Sequence, residues 1–289
     1  MKKTLLYSAI LFTLLVSMKQ DNPAYTLFDV KGKDADYKEM LKQALESDVI
    51  LFGELHNSPI CHWLELELTQ DIFEDKKENL VIGAEMFESD DQLIIDEFFA
   101  GKMKEKNFED EVKLWDNYKT DYKPLLTFAY KNKLPFIATN IPRRYASLVN
   151  KSGFEGLDSL TNDAKNFLPP LPVEYDPELK GYKDIIENMG GPSSHVTPNI
   201  AKAQAVKDAT MAYFILQNLE PGKTFIHYNG TYHSNNFEGI YWYLKRGNPE
   251  LKIMTIASVE QDTITSLAEE NHGLADFIIC VPTNMTKTY

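Results

Sequence analysis

Short apolar runs alternate with longer segments in which apolar residues recur at helical spacing along most of the chain. The runs VILF, LVIGA, LPFIAT, TFIHY, KIMTIAS and FIICV predict strands. Runs this short, without polar alternation, are typical of strands that are covered on both faces. The pattern therefore predicts an α/β fold, a mostly parallel sheet with helices on both faces and a helical insertion.

The segments between these runs predict helices. They span about 58–75, 89–100, 107–116, 121–132, 142–150, 198–219 and 235–246. The first begins with Ser58 as a plausible N-cap and Pro59 in the first turn. Residues 150–196 are rich in Pro, Gly and Ser, which predicts an insertion of helices and loops rather than a core element.

The N-terminal segment 1–20 resembles an export signal. Lys2 and Lys3 precede an apolar run over 5–16 that is too short to span a bilayer comfortably and fits the apolar part of a signal peptide. Ser17 could end the signal, but Leu15 fits the cleavage pattern poorly, so an uncleaved anchor stays open. We expect an exported protein of the periplasm or cell envelope whose main domain spans 21–289.

Charge limits the possible partners. The net charge is −13, and leaving out Lys2 and Lys3 gives 28 basic against 43 acidic residues, or −15. A surface this acidic repels phosphate backbones, which argues against nucleic acid as a partner. Membrane contact is expected only through an uncleaved N-terminal segment. Cys61 and Cys280 are expected to be buried free thiols, although export would permit a disulfide.

Polar side chains follow the predicted strands at their carboxyl ends, where ligands bind in folds of this kind. They are Glu54 and His56, then Glu85, then Asn140 with Arg143 and Arg144, and finally Tyr232 and His233. Glutamate and histidine together suit a divalent metal such as Mn, Zn or Fe, and arginine suits an anionic group. The sequence therefore predicts a metal site formed by Glu54, His56, Glu85 and His233.

Other interpretations of these residues stay open at this point. Glu54 could cap the following helix or pair with Arg143, and an ExH pair is a weak motif. Gln204 and Asp208 share one face of the long helix, which is either a solvated stripe or a face turned toward the crevice. In the second case Asp208 would hold an arginine or a ligating histidine.

Two further histidines are expected to be structural. His227 lies inside a predicted strand, where a core histidine with satisfied hydrogen bonds is expected. His62 lies within a predicted helix, where packing is the expected role.

Five blocks of sequence, in order, resemble the ChaN family of haem-binding, iron-regulated bacterial envelope proteins. They are LFGELHNSPICHWLELEL, VIGAEMFESDDQLIIDEFFAG, LWDNYKTDYKPLLTFAYKNKLPFIATNIPRR, AQAVKDATMA and HYNGTYHSNNFEGIYWYL. The family belongs to a superfamily that includes the Tiki metalloproteases and the erythromycin esterases. The resemblance covers about 45–282.

The resemblance implies an α/β fold with a cleft at the strand ends and a helical insertion. It implies a site of Glu54, His56, Glu85 and His233, with Arg143 or Arg144 as the family's basic residue and Gln204 and Asp208 as its helix motif. This chain departs from the family in three respects. It lacks a lipobox cysteine, Tyr232 stands where a second glycine is usual, and Lys207 replaces a common arginine.

The resemblance leads to three functional hypotheses. The first is a haem-binding protein of iron acquisition, in which a tyrosine such as Tyr232 holds the iron, as a phenolate does in catalase. Haem would lie in a cleft or between two subunits of a homodimer. The second is a hydrolase of esters or amides that uses the Glu and His site with a metal or with directly activated water. A domain that retains only a binding role is the third possibility.

Overall fold

The computed structural model describes residues 23–189 and 199–289, and these form a seven-stranded sheet flanked by helices. The predicted signal or anchor at 1–20 and the last part of the predicted insertion, 190–196, lie outside the described residues. None of the helices in the described ranges is long and apolar enough to cross a membrane.

The strands follow one another in the sheet in the order β1-β7-β6-β2-β5-β3-β4. They are β1 Thr26–Asp29, β2 Val49–Glu54, β3 Leu80–Glu88, β4 Phe136–Asn140, β5 Thr224–Gly230, β6 Ile253–Gln261 and β7 Phe277–Pro282. All pairs are parallel except β1 with β7, which is antiparallel. The predicted fold class, a mostly parallel α/β sheet, is therefore confirmed.

Ten α-helices connect or flank the strands in the described ranges. They are α1 Tyr37–Leu45, α2 Pro59–Lys76, α3 Gln92–Phe99, α4 Glu105–Glu111, α5 Lys123–Asn132, α6 Arg143–Ser152, α7 Asn162–Lys165, α8 Lys180–Met189, α9 Asn199–Asn218 and α10 Ile240–Gly247. Helices α7 and α8 fall in the segment predicted as an insertion. The oxygen of Ser58 accepts from Cys61 N at 3.5 Å, which confirms the predicted cap of α2.

Alternate residues of the buried strands pack on the two helical layers. In β2, Ile50 and Phe52 join the core beneath α1, α2 and α5, whereas Val49 and Leu51 join the core beneath α9 and α10. Successive strand side chains point to opposite faces, so a continuous apolar run can serve both layers. This double cover leaves the carboxyl ends of the strands as the open edge.

Some predicted boundaries were wrong. The helix predicted over 107–116 is α4, which ends at Glu111, and the helix predicted over 235–246 begins only at Ile240. The segment Tyr118–Tyr122 forms a π-helical turn before α5. Strand β1 and helix α1 were not predicted. Strand β1 is a four-residue edge strand, which is too short to show a clear periodicity.

Gly53 permits a close approach of backbones near the end of β2. A Cβ on Gly53 would lie 2.8 Å from the carbonyl oxygen of Ile256 and 2.9 Å from Cα of Thr231. Both atoms are backbone and cannot move aside cheaply. We expect Gly53→Ala to lower the free energy of unfolding by about 1–3 kcal/mol through overpacking, measured by urea denaturation.

Gly181, in α8, is the matched control. A Cβ there would meet only Glu238 Oε2, at 3.5 Å, which is ordinary contact. Gly181→Ala should be neutral or stabilising by up to about 1 kcal/mol, as in other helices. Equal losses in both variants would contradict the assigned role of Gly53.

Candidate functional site

A cleft opens at the carboxyl edge of the sheet, where β2, β3, β4 and β5 end side by side. Its volume is ≈ 360 Å³. Its walls are formed by His56, Glu85, Glu88, Trp115, Asn140, Ile141, Arg143, Gln204, Lys207, Gly230, Tyr232 and His233. Most of the residues predicted from the strand ends therefore converge on one cleft, as the parallel topology requires.

Glu54 and His56 form a hydrogen-bonded pair at the end of β2. His56 Nδ1 lies 2.6 Å from Glu54 Oε1, and the phenol of Tyr122 donates to the same oxygen at 2.7 Å. The Glu54 side chain is fully buried, whereas 34% of the His56 side chain is exposed. Glu54 therefore stands behind His56 and neither caps α2 nor pairs with Arg143. Since Nδ1–H donates to the carboxylate of Glu54, Nε2 is the atom that His56 can present to the cleft.

Glu85, His233 and Asp208 form a buried chain of charges on the other side of the cleft. His233 Nε2 lies 3.0 Å from Glu85 Oε1, and its Nδ1 is hydrogen-bonded to Asp208 Oδ1. The second oxygen of Glu85 accepts from the backbone N–H of Gly230 at 2.7 Å, and Tyr182 donates to Asp208 Oδ2 at 2.8 Å. Asp208 thus holds a histidine and not an arginine, which resolves the alternatives left by the sequence.

The pKa values of these groups follow from burial and pairing. Burial acts to lower the pKa of His233, but the charges of Glu85 and Asp208 prevail and raise it to about 9. Burial would raise the pKa of Glu85, yet His233 holds it well below its usual range. Burial is the main cause of the raised pKa of Asp208. His233 is therefore an imidazolium held between two carboxyl groups at neutral pH.

Gly230 brings the two halves of the site together. A Cβ at Gly230 would lie 2.7 Å from His56 Nε2 and 3.5 Å from Glu85 Oε2. The absence of a side chain at this position therefore lets His56 and Glu85 approach each other. Gln204, from the same face of α9 as Asp208, places its Nε2 atom 2.9 Å from His233 Nε2. The helix face carrying Gln204 and Asp208 is thus turned toward the cleft.

The mouth of the cleft differs from its floor. Tyr232 is 78% exposed there. Arg143 and Lys207 line the cleft, and neither has an ion-pair partner in the described part of the chain. Asn140 Oδ1 is buried and lacks a hydrogen-bond partner among the described residues. The mouth therefore combines an exposed phenol, two cations and an unused acceptor.

Arg144 does not join the cleft. Its guanidinium lies 2.6 Å from Asp90 Oδ2 and stacks on the ring of Tyr145, with 4.5 Å between Cζ and the ring centroid. It lines an adjoining depression of ≈ 870 Å³ that shares Glu88, Trp115 and Arg143 with the cleft. Of the two predicted arginines, Arg143 is the one that faces the site.

Several residues around the site were missed by sequence reasoning. They are Trp115 beside His56, Tyr122 and Glu65 behind Glu54, Asp121 beside His62, and Tyr182 behind Asp208. His62 was expected only to pack, but it lies in a buried group of polar side chains. His227 is satisfied by Thr139 and Asn229, as expected, and Cys61 and Cys280 are free and buried.

Comparison with known proteins agrees with this fold. A family model described as "Haem-binding uptake, Tiki superfamily, ChaN" matches residues 40–244, well over half of the chain. The chain belongs to this family. The blocks that carried the resemblance, from GELH to the segment around His233, lie within or directly beside the matched range.

Solved structures share the fold at low identity. ChaN of Campylobacter jejuni, described with cofacial heme binding, is 16% identical with a TM-score of 0.66, covering 89% of this chain and 97% of that one. An erythromycin esterase mutant in its open conformation is 11% identical with a TM-score of 0.50, covering 91% and 99%. At these identities the likeness shows the fold alone.

A curated relative comes from a plant. The chloroplastic protein RETICULATA-RELATED 5 of Arabidopsis thaliana is 24% identical over 209 residues, which is 66% of this chain. The match covers 27% of that protein, so this chain spans only about a quarter of its length.

The pKa of His233 predicts how stability depends on pH. Its folded-state pKa is about 9 and its ordinary value is 6.5, so its stabilising effect is complete below about pH 6.5 and is lost as pH rises through 9. Between these limits we expect the free energy of unfolding to fall by roughly 3 kcal/mol on account of this group. Urea denaturation at pH 6.5 and pH 9 measures the change.

His233→Gln should remove most of this pH dependence. The matched control is His272→Gln, since His272 is exposed and remote from the buried carboxylates. It should keep the wild-type slope. A His233→Gln protein with the same slope as the wild type would show that His233 is not held as an imidazolium.

Proposed function

We propose that this protein binds haem across the mouth of the strand-end cleft, with Tyr232 as the ligand of the ferric iron. The observation that carries the proposal is the 78% exposure of this phenol at the mouth of the cleft. A tyrosine is an established axial ligand of haem iron. The family to which the chain belongs is described as haem-binding, which supports the proposal at the level of the ligand class.

The other residues at the mouth suit a porphyrin. Arg143 and Lys207 can pair with the two propionate carboxylates, because neither forms a direct ion pair with an acidic side chain of the described chain, although the charge of Lys207 also acts on Glu85. Trp115 supplies apolar surface for the macrocycle. The cleft alone, at ≈ 360 Å³, is near the lower end of ligand pockets, so haem would also use the adjoining depression.

Haem supplies an iron centre when it is bound, and this chain would supply its ligand, its charge partners and its apolar support. The Campylobacter jejuni protein is described with cofacial heme. A ligand as exposed as Tyr232 would leave the outer face of a haem open to a second copy, so we propose a homodimer in the loaded state. We also propose export to the periplasm or cell envelope, where haem would be captured.

A haem titration followed by absorbance tests this proposal. Wild-type protein should give a saturable Soret shift, and Tyr232→Phe should weaken binding by more than about tenfold, because it removes the iron ligand. Tyr130→Phe is the matched control, since Tyr130 is also exposed but stacks on Phe98 away from the cleft. Light scattering on the same samples measures dimer formation.

Three results of the titration would contradict the proposal. They are the absence of a Soret shift in the wild type, equal binding by Tyr232→Phe and wild type, and an equal loss in Tyr130→Phe.

A second candidate function is hydrolysis of an ester or amide. The observation that favours it is the Glu54–His56 pair, in which a buried carboxylate orients an imidazole toward the cleft. Burial lowers the pKa of His56, but the hydrogen bond to Glu54 and the charge of Glu85 raise it overall. His56 Nε2 would accept the proton of a water molecule that attacks the carbonyl, and Arg143 or Lys207 would stabilise the resulting oxyanion.

A divalent metal in the cleft would fit the same candidate. His56 and Glu85 face the cleft and could ligate such an ion, and His233 could do so once its imidazolium gives up the Nε2 proton, while Glu54 would act behind His56. Mn, Zn or Fe suits this mixture of imidazole and carboxylate. The ion would polarise the carbonyl or lower the pKa of a bound water molecule.

His56→Gln separates the two candidates. If the protein is a hydrolase, this change should reduce turnover in a panel of ester and amide substrates by about 10²–10⁴, because it removes the general base. Haem binding should be unchanged, because Tyr232 is intact. His272→Gln serves as the control. Turnover that survives His56→Gln would exclude the proposed role of His56, and the absence of turnover in the wild type would count against the hydrolase candidate.

A further inference from the structure

A second group of ionisable side chains lies behind the cleft, inside the protein. It consists of Glu54 from the end of β2 and of His62 and Glu65 from the first two turns of α2. Glu54 is 1% exposed, His62 6% and Glu65 0%. Three such groups away from water carry a large desolvation cost, which calls for a compensating charge.

We propose that Glu54, His62 and Glu65 form a buried binding site for one divalent transition-metal cation. The site is separate from the haem-binding mouth and from the metal set expected in the cleft, because only Glu54 is shared and its two oxygens face different partners. Glu54 Oε1 accepts from His56 and Tyr122, whereas Oε2 lies on the side of His62.

The distances suit a small cation. His62 Nδ1 lies 3.2 Å from Glu65 Oε2 and 3.6 Å from Glu54 Oε2. One ligand atom from each of the three residues lies within 4.8 Å of the others. Ligands at about 2.0–2.2 Å from a tetrahedral Zn²⁺ ion lie roughly 3.4 Å apart, so the spacing already approaches that of a coordination shell.

Two buried oxygens in the group have no hydrogen-bond partner. They are Glu54 Oε2 and Glu65 Oε1. Burial, and then the neighbouring charge of Glu54, raise the pKa of Glu65 well above its usual value. The pair of carboxyl groups therefore needs either one shared proton or one cation between them. A cation satisfies both unused oxygens and also engages the imidazole.

The Nε2 edge of the His62 imidazole, on the side away from the two glutamates, faces hydrogen-bond acceptors. His62 Nε2 lies 3.1 Å from the carbonyl oxygen of His56 and 3.4 Å from Asp121 Oδ2, and both of these atoms are acceptors. Nε2–H can therefore donate to these acceptors, and Nδ1, which faces the two glutamates, would offer its lone pair to a cation that takes the place of a proton between them. A carboxylate that orients a histidine from behind is the usual arrangement around a ligating imidazole.

Asp121 is itself held in place. Asn117 Nδ2 donates to Asp121 Oδ2 at 2.7 Å and to the carbonyl oxygen of His56 at 2.9 Å. The acceptors around Nε2 are thus fixed by a network and do not depend on a mobile side chain. This network lies within the π-helical turn and the segment just before it, whose irregular backbone turns Asn117 and Asp121 toward α2.

The ligand set indicates the class of cation. One imidazole with two carboxylates suits Zn²⁺, Mn²⁺ or Fe²⁺, whereas Mg²⁺ and Ca²⁺ prefer oxygen ligands alone. Because the group is buried, loading is expected during folding and not by exchange into the folded protein. The experiment therefore compares full-length protein refolded with Zn²⁺ or Mn²⁺ against protein refolded with a chelator.

Elemental analysis after exhaustive dialysis measures the bound cation. The wild type should retain about one cation per chain, and Glu65→Gln and His62→Gln should each lose it or bind it at least about 100-fold more weakly, since each removes a ligand. Glu67→Gln, on the same helix but outside the group, is the matched control and should retain the cation. Glu85→Gln, which alters the cleft, should retain it as well.

Thermal melts distinguish the loss of the cation from misfolding of a variant. In the chelated state Glu65→Gln should be at least as stable as the wild type, because an amide replaces one of two adjacent carboxyl groups. In the presence of Zn²⁺ only the wild type and the two retaining variants should gain stability. Because Glu65→Gln should be folded and stable in the chelated state, the absence of a gain in this variant cannot be explained by misfolding.

Three outcomes would overturn the proposal. They are the absence of a retained cation in the refolded wild type, retention that survives both Glu65→Gln and His62→Gln, and loss in Glu85→Gln alone. The first would assign a shared proton to the glutamates, and the last would place the ion in the cleft. Haem titration of Glu65→Gln should match the wild type, so failure here is independent of the haem proposal.

Discussion

The carboxylate of Glu54 is the charge around which the polar interior of this protein is arranged. It lies at the end of the central strand β2, whose pairing with β5 sets Glu54 opposite Gly230. A buried carboxylate costs several kcal/mol unless its oxygens are occupied. His56 and Tyr122 occupy one oxygen, and His62 and Glu65 stand beside the other. The orientation of His56 toward the cleft is thus a consequence of satisfying this charge.

The residues that line the cleft could be predicted from the sequence, because they come directly after the carboxyl ends of strands. The apolar runs fix where each strand ends, and parallel pairing brings those ends to one edge. His56, Glu85 and His233 were found in this way, and the structure places all three on the cleft wall. The helix spacing of Gln204 and Asp208 allowed two interpretations, and only the position of α9 beside His233 decides between them.

The buried group behind the cleft could not be predicted. Its residues His62 and Glu65 lie on α2, where the apolar residues do not form a continuous stripe that would identify the buried face. In α2 the exposed Trp63 stands directly beside the buried His62, so hydrophobicity does not mark the inner face. A buried Glu65 reads in the sequence as an ordinary surface glutamate. Asp121 belongs to a π-helical turn, and Tyr118–Tyr122 carries no pattern that separates it from the start of α5.

The mouth and the floor of the cleft differ in their access to solvent. Tyr232 and Arg143 meet solvent directly, and a large, flat ligand could reach them without any displacement of the floor. His233 and Glu85 are buried and compensate each other, so they form a rigid floor whose charge does not need a ligand. The mouth is therefore the part that can acquire or lose a ligand without rearranging the charges of the floor. The floor is preorganised, which suits chemistry on a small substrate as well as support for haem. Haem binding at the mouth, as proposed, would leave the Glu and His side chains of the floor in place, since Tyr232 has no share in the charge network that the described residues form beneath it.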